Sequence, residues 1–228
     1  WLMVRRKPRI AYLATGNEVV MPGDPLRAEQ IISSNSLALG AYVRVLGGVP
    51  VNLGIAGDDA ESLVRLLAGA GQADMLVTIG GVSVGDYDLV RQVLDEKGME
   101  LGFHRVAMRP GKPVMFGRLG GMPVLGLPGN PVSAMVCGTV FVVPVLRKML
   151  GLPAAPAARV DLPLGVDLPA NGPREHYMRA MVRDGAFLPE DNQDSSLLGI
   201  LSRADVLMVR PPHDGARTAG EIIGCIPL

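Results

Sequence analysis

Apolar and polar positions run in blocks along the chain, and the blocks change character near residue 151. Arg9-Ile10-Ala11-Tyr12-Leu13-Ala14-Thr15 is an apolar run closed by Gly16, which predicts a buried strand. Over residues 31–46, Ile32, Leu37, Leu39, Tyr42, Val43 and Leu46 recur at helical spacing, and Gly47-Gly48 stops that helix. Val49–Ile55 reads as the next strand, after which Asp58 or Asp59 caps a helix through Leu67. Asp74–Ile79 is unbroken and apolar, the pattern of a strand inside a parallel sheet. Asp88–Glu96 reads as a helix closed by Gly98. Val114–Arg118 and Met122–Leu127 pair as a hairpin around Gly120-Gly121. Pro131 opens an apolar helix to Leu150, placed at the first turn where its missing N–H costs nothing.

Strand and helix alternate through this half, which predicts an α/β fold: a three-layer, mostly parallel sheet over residues 1–151. Ligands of such sheets sit at the carboxyl ends of the strands. Leu152–Ala158 is a proline and alanine linker. Beyond it, Arg159–Leu164, His176–Arg183, Asp205–Val209 and Ile222–Pro227 are short segments between turn signals, which predicts a small all-β, barrel-like domain over residues 152–228. The chain opens on Trp1, and residues 1–8 read as the tail of a preceding element, so an upstream continuation is expected.

Composition narrows the class. The 228 residues are 48% hydrophobic and 19% charged, enough for a sizeable core and against disorder. Lys plus Arg and Asp plus Glu both number 22, so no bulk charge draws the chain to nucleic acid or an anionic membrane. Nine aromatic side chains are too few for a base-stacking surface. Two cysteines make no disulfide framework, and a reducing, cytoplasmic setting is expected. Val132–Leu146 is shorter than a bilayer span and reads as a core helix. His104, His176 and His213 are scattered without metal-ligand spacing, and neither a Walker A nor a dinucleotide fingerprint is present.

Two glycine signatures carry the chemistry. Gly80-Gly81-Val82-Ser83-Val84-Gly85-Asp86 and Leu127-Pro128-Gly129-Asn130-Pro131-Val132-Ser133 each stand between an apolar strand and a helix. Such turns aim bare N–H groups at the positive end of a helix dipole, which suits phosphate. Thr15-Gly16-Asn17-Glu18 ends the first strand, where Glu18 is either a solvated turn residue or a wall of the ligand crevice. Asp58 and Asp88 follow other strand ends; each is a helix cap or, as a pair, a Mg²⁺ site completed by ligand oxygens. Arg109-Pro110-Gly111-Lys112-Pro113 holds two cations on a loop stiffened by proline, either a plain turn or an oxyanion site. Ser83 and Ser133 can donate hydroxyl hydrogen bonds, but neither has a His–Asp partnership, which argues against a serine hydrolase.

In order and spacing, Thr15–Glu18, Gly80–Gly85, Pro110–Pro113 and Leu127–Ser133 resemble the molybdopterin molybdenumtransferases, the MoeA proteins and the E domain of gephyrin. The glycine turns alone are shared with MogA-type adenylyltransferases and CinA-like proteins. Arg174–Ala180 looks like the C-terminal domain specific to MoeA. The resemblance implies insertion of molybdenum from molybdate into adenylated molybdopterin, with Mg²⁺ and release of AMP, by a homodimeric protein. It implies functional acids at Glu18, Asp58 and Asp88, with Asp58 and Asp88 on the metal. It places the basic loop at Arg109 and Lys112, and the C-terminal arginine and serine at Arg179 and Ser195. Thr15, Gly80, Gly81, Ser83, Gly85, Pro128, Gly129, Asn130 and Ser133 then line the pterin site. Asn17 stands where many members have Asp, Arg109 where others have Lys, and the family's two N-terminal domains, which wall the cleft, have no counterpart here. A MogA-type adenylyltransferase would not need residues 152–228, and a non-catalytic scaffold would not need the three acids.

Overall fold

The computed structural model describes residues 1–81 and 88–228. The chain forms β1 (Arg9–Thr15), β2 (Val19–Val20), β3 (Ile31–Ile32), α1 (Ser34–Val45), β4 (Val49–Ala56), α2 (Ala60–Leu67), β5 (Met75–Ile79) and α3 (Leu89–Glu96). It continues through β6 (Met99–His104), β7 (Met108–Arg109), β8 (Met115–Leu119) and β9 (Met122–Leu127). Pro131–Met149 is one helical run, α4 (Pro131–Cys137) and α5 (Val143–Met149) joined by a π-turn over Gly138–Val142. Then follow β10 (Val160–Pro163), β11 (Glu175–Arg183), β12 (Ala186–Pro189), α6 (Leu198–Leu201), β13 (Val206–Arg210) and β14 (Ile222–Pro227).

The first sheet has the order β4-β1-β5-β9-β8-β6. It is mixed: β4, β1, β5 and β9 run parallel, while β8 and β6 add antiparallel at one edge. The reversal is local. Gly120 and Gly121 both have positive φ, the geometry of a two-residue hairpin turn, and a hairpin returns its second strand antiparallel. β1 shows why its run reads as continuous. Ile10, Tyr12 and Ala14 join a core with α1 and the α4–α5 helix, while Ala11 and Leu13 join another with α2 and α3. Both faces of the sheet are therefore covered, giving three layers.

The helix starts follow side-chain chemistry. Asp59, not Asp58, caps α2 by accepting from Ser62 N at 2.6 Å, a bond worth about 1 kcal/mol. α1 begins at Ser34 instead of residue 31, because Ile31 and Ile32 pair with Val19 and Val20 as an exposed two-strand ribbon. The Pro131–Met149 run is apolar and long enough to cross a membrane by length and composition, yet half of it is buried inside this protein. Val132, Val136, Val142 and Leu146 belong to the same core as Leu39 and Val43 of α1.

The second sheet has the order β10-β14-β13-β11-β12, all antiparallel. A bridge between Leu164 and Phe187 brings its two edges together after β10. β7 also pairs with it, parallel to Glu175–His176 of β11, on the stretch that β12 does not reach. Ala180, Phe187, Met208 and Cys225 pack on one side. Tyr177, Leu207, Val209 and Ile226 instead join the core of the first sheet and its α4–α5 helix.

Candidate functional site

A cleft of about 520 Å³ opens at the carboxyl ends of β1, β5 and β9. It lies where the chain leaves β1 for β4 on one side and later returns to β5 on the other, the switch point of an open α/β sheet. Thr15, Gly80, Gly81, Pro128, Gly129 and Asn130 line it, as do the acids Glu18 and Asp58. The two glycine turns meet: Gly80 N donates to Leu127 O at 2.9 Å, and a Cβ built on Gly129 would lie 3.5 Å from Gly80 Cα. Gly81 has φ 66°, and a side chain there would run into Val90 and Thr15. Glycine is needed for both the turn and the approach.

The acids differ in setting. The carboxylate oxygens of Glu18 fold back over Gly16, 2.5 Å from where its Cβ would be. Asp58 is exposed and tied across to β1: its carboxylate accepts from Asn17 N at 3.1 Å, and its own N–H donates to Asn17 Oδ1 at 3.3 Å. The Asn17 amide thus replaces a second carboxylate with a bond that joins two strand ends. Asp88 is not among the residues lining the cleft. It caps α3, accepting from Arg91 N at 2.9 Å, and is only 8% exposed. Its Oδ2 is buried without a hydrogen-bond partner among the described residues, 3.8 Å from His104 Nε2. Burial raises the Asp88 carboxyl above its ordinary pKa and lowers the His104 imidazole, so neither charge is well solvated there.

Among the described residues, no cluster of three or more His, Cys, Asp or Glu side chains is placed to hold a metal ion. Mg²⁺ is usually held by one or two carboxylates with ligand oxygens and water completing the shell; of the two expected ligands, Asp58 is on the cleft wall and Asp88 is not. Asp88 Oδ2, without a hydrogen-bond partner among the described residues, is a buried carboxyl oxygen that a cation would satisfy.

Of the expected basic and serine residues, Arg109, Lys112, Arg179 and Ser195, none is among the residues lining the cleft. Arg109 and Lys112 are exposed, and Pro113, next to Lys112, is on the cleft wall. Gly111 has φ 108° and packs its backbone against Cys137 Sγ, which fixes the loop onto α4. Arg179 is 0% exposed; its Nη2 donates to Asp194 O at 3.0 Å, while Nε and Nη1 have no partner among the described residues. Burial, and then the neighbouring Arg109, lowers its pKa. His176, 8% exposed, is pushed down to about 4 by burial and by Arg109, Arg179, Arg174 and Arg210. Ser195 meets the second glycine turn, accepting from Asn130 Nδ2 at 2.9 Å. Ser133 is buried in the first turn of α4 and is absent from the cleft wall. Ser83 and Gly85 lie outside the described residues.

Sequence reasoning missed Ser33, Ser34 and Asn35, which bring the start of α1 to the cleft, with Asn35 Nδ2 donating to Gly129 O at 2.6 Å. The serine pair inside the expected 31–46 helix is a start signal that could have marked them.

Residues 11–148 match the family model described as "Probable molybdopterin binding domain", and residues 161–228 match "MoeA C-terminal region (domain IV)". Molybdopterin molybdenumtransferase 2 of Mycobacterium tuberculosis is 43% identical over 158 residues, covering 67% of this chain and 39% of that protein. The molybdopterin molybdenumtransferase of Bacillus subtilis is 31% identical over 225 residues, covering 96% of this chain and 52% of its own length. The crystal structure of a molybdopterin biosynthesis MoeA protein from Pyrococcus horikoshii superposes with a TM-score of 0.85 at 31% identity, over 97% of this chain and 54% of that one. The chain therefore spans about half or less of the length of these relatives. With both family models matched in sequence order and the fold shared over nearly its whole length, this chain belongs to the MoeA family.

Proposed function

We propose that this chain is the part of a molybdopterin molybdenumtransferase that binds adenylated molybdopterin and molybdate, inserts molybdenum and releases AMP. The observation that carries this reading is the meeting of the Gly80 and Gly129 turns in one cleft with Glu18 and Asp58. In this reading the phosphates bond to backbone N–H groups at Gly81 and Gly129–Asn130, while the Gly80 N–H holds the two turns together, with Ser83, Gly85 and Ser133 belonging to the same two motifs. Thr15 and Pro128 shape the floor. Mg²⁺, held by Asp58 and Asp88 with ligand oxygens, would offset the charge that phosphates and carboxylates place together. Glu18 keeps the crevice wall anionic on the metal side. Arg109, Lys112, Arg179 and Ser195 receive molybdate at the opposite end, where guanidinium and ammonium groups stabilise an oxyanion.

The division into residues 1–151 and 152–228 is supported by the absence of strands and helices over residues 152–158. The Leu164–Phe187 bridge supports a barrel-like form for the second unit. The MoeA-type match of residues 161–228 favours molybdenum insertion over an adenylyltransferase role. A cytoplasmic homodimer, formed through the further length present in relatives, completes the reading.

The test is anaerobic incubation with adenylated molybdopterin, Mg²⁺ and molybdate, reading out AMP. Residues 1–228 and a full-length MoeA-type protein are compared at equal concentration. AMP release by the longer protein, with weaker release by residues 1–228, is expected, because an open cleft admits water that weakens electrostatic stabilisation. No binding of adenylated molybdopterin by either protein removes the proposal.

A further inference from the structure

Residues 190–197, between β12 and α6, form a strap laid between the two sheets. On one side the strap holds β11. Gln193 Oε1 accepts from Arg179 N at 2.9 Å, and Gln193 Nε2 donates to Arg179 O at 2.9 Å. On the other side Ser195 is held by the second glycine turn: Val132 N donates to Ser195 O at 3.1 Å and Asn130 Nδ2 to Ser195 Oγ at 2.9 Å. The next serine is spent within the strap, since Ser196 N and Oγ both donate to Asp194 Oδ1 at 2.8 Å. The Ser195 hydroxyl hydrogen has no acceptor among the described residues.

A hydroxyl offers one hydrogen and two lone pairs. With its carbonyl fixed by Val132 and a lone pair taken by the Asn130 amide, Ser195 keeps a hydrogen that no described residue accepts and that a bound ligand can take. The surroundings favour an anion. Arg179 bonds the strap at Asp194 O with two further nitrogens unpartnered among the described residues, and Pro113 of the cationic loop shares the cleft wall with Asn130 and Ser196.

We propose that Asn130 is a positioning residue that acts through Ser195, holding its hydroxyl as a hydrogen-bond donor to a tetrahedral oxyanion of the molybdate class. The inference rests on the oxyanion reading of Ser195 given above and adds the residue that makes the serine competent. The turn containing Asn130 then serves both ends of the cleft.

Molybdate affinity, measured by calorimetry on residues 1–228, tests it in the wild type, Asn130→Ala, Ser195→Ala and the double variant. Each single change is expected to weaken molybdate about tenfold, the worth of one hydrogen bond to a charged acceptor. The double variant should lose no more than Ser195→Ala alone, because both act on the same bond. Aspartate at 130 has nearly the same shape but only accepts, so it turns the serine hydrogen toward itself. Asn130→Asp should therefore cost more in the wild type than in the Ser195→Ala background, where only charge repulsion remains. Ser195→Thr, which keeps the hydroxyl, should restore most of the affinity, and thermal melts identify any variant that fails to fold. Additive losses in the double variant, or an equal cost of Asn130→Asp in both backgrounds, overturn the role of Asn130. Wild-type affinity in Ser195→Ala, or no molybdate binding by the wild type, instead overturns the oxyanion reading beneath it.

Discussion

Gly111→Ala should loosen the cationic loop, and the size of the effect separates into two parts. Gly111 has φ 108°, where an L side chain strains the backbone by about 1–3 kcal/mol. Its Cβ would also collide with Cys137 Sγ, and it would lie 3.4 Å from Met108 Cε. Cys137 is fully buried in α4 and has little room to yield, so overpacking adds about 1–3 kcal/mol. The sum, roughly 2–6 kcal/mol, is a large share of a domain's ordinary stability. Cys137→Ala removes the collision and leaves the strain. By itself it should cost about 1 kcal/mol, the loss of one buried heavy atom. Urea unfolding followed by circular dichroism, on the wild type, both single variants and the double variant, closes the cycle. Gly111→Ala is expected to be about 1–3 kcal/mol less damaging when residue 137 is alanine. An identical cost in both backgrounds would show that Cys137 does not support the loop, and the packing argument fails.

Gly81→Val should collide with Val90 and Thr15 and close the approach to the first glycine turn; unchanged affinity for adenylated molybdopterin in a folded variant would count against that turn as a phosphate site. Asp88→Asn keeps the acceptor that caps α3 but removes the buried charge. AMP release in a complete protein should fall and its Mg²⁺ dependence weaken, whereas wild-type rates with an unchanged Mg²⁺ titration would remove Asp88 from the chemistry. His176 titrates near 4 when folded and near 6.5 when unfolded, so the unfolded chain binds more protons between those values. Stability present above pH 6.5 should be lost as pH falls toward 4, by roughly 3 kcal/mol from this group. His176→Leu should flatten that part of the stability curve, and an unchanged slope would refute the assignment.

The central strands were legible because burial on both faces leaves no polar position to interrupt them, as in β1 and β5. The edge was not. β6 carries exposed Leu101 and Phe103 and a register shift between them, so neither alternation nor a solid apolar run marks it. The two residues of β7 become a strand only because β11 lies beside them, a tertiary fact with no local signal. At the site, the glycine turns could be read because only glycine tolerates their backbone and close approach. The acids could not be sorted the same way. Asp59 and Asp88 both cap helices, and sequence alone does not separate a cap from a cleft wall.

The two-residue strand β7 sets how the halves of the molecule are geared together. It leaves the first sheet, pairs with β11 of the second, and returns through Gly111 against α4 before β8 rejoins the first sheet. Arg109 is in this way clamped from both halves at once. A hinge swing between the sheets would have to break the β7–β11 pairing or lift the loop off Cys137. The distance from the cation loop to the glycine turns is therefore a built-in gauge length, held by covalent continuity on one side and strand pairing on the other.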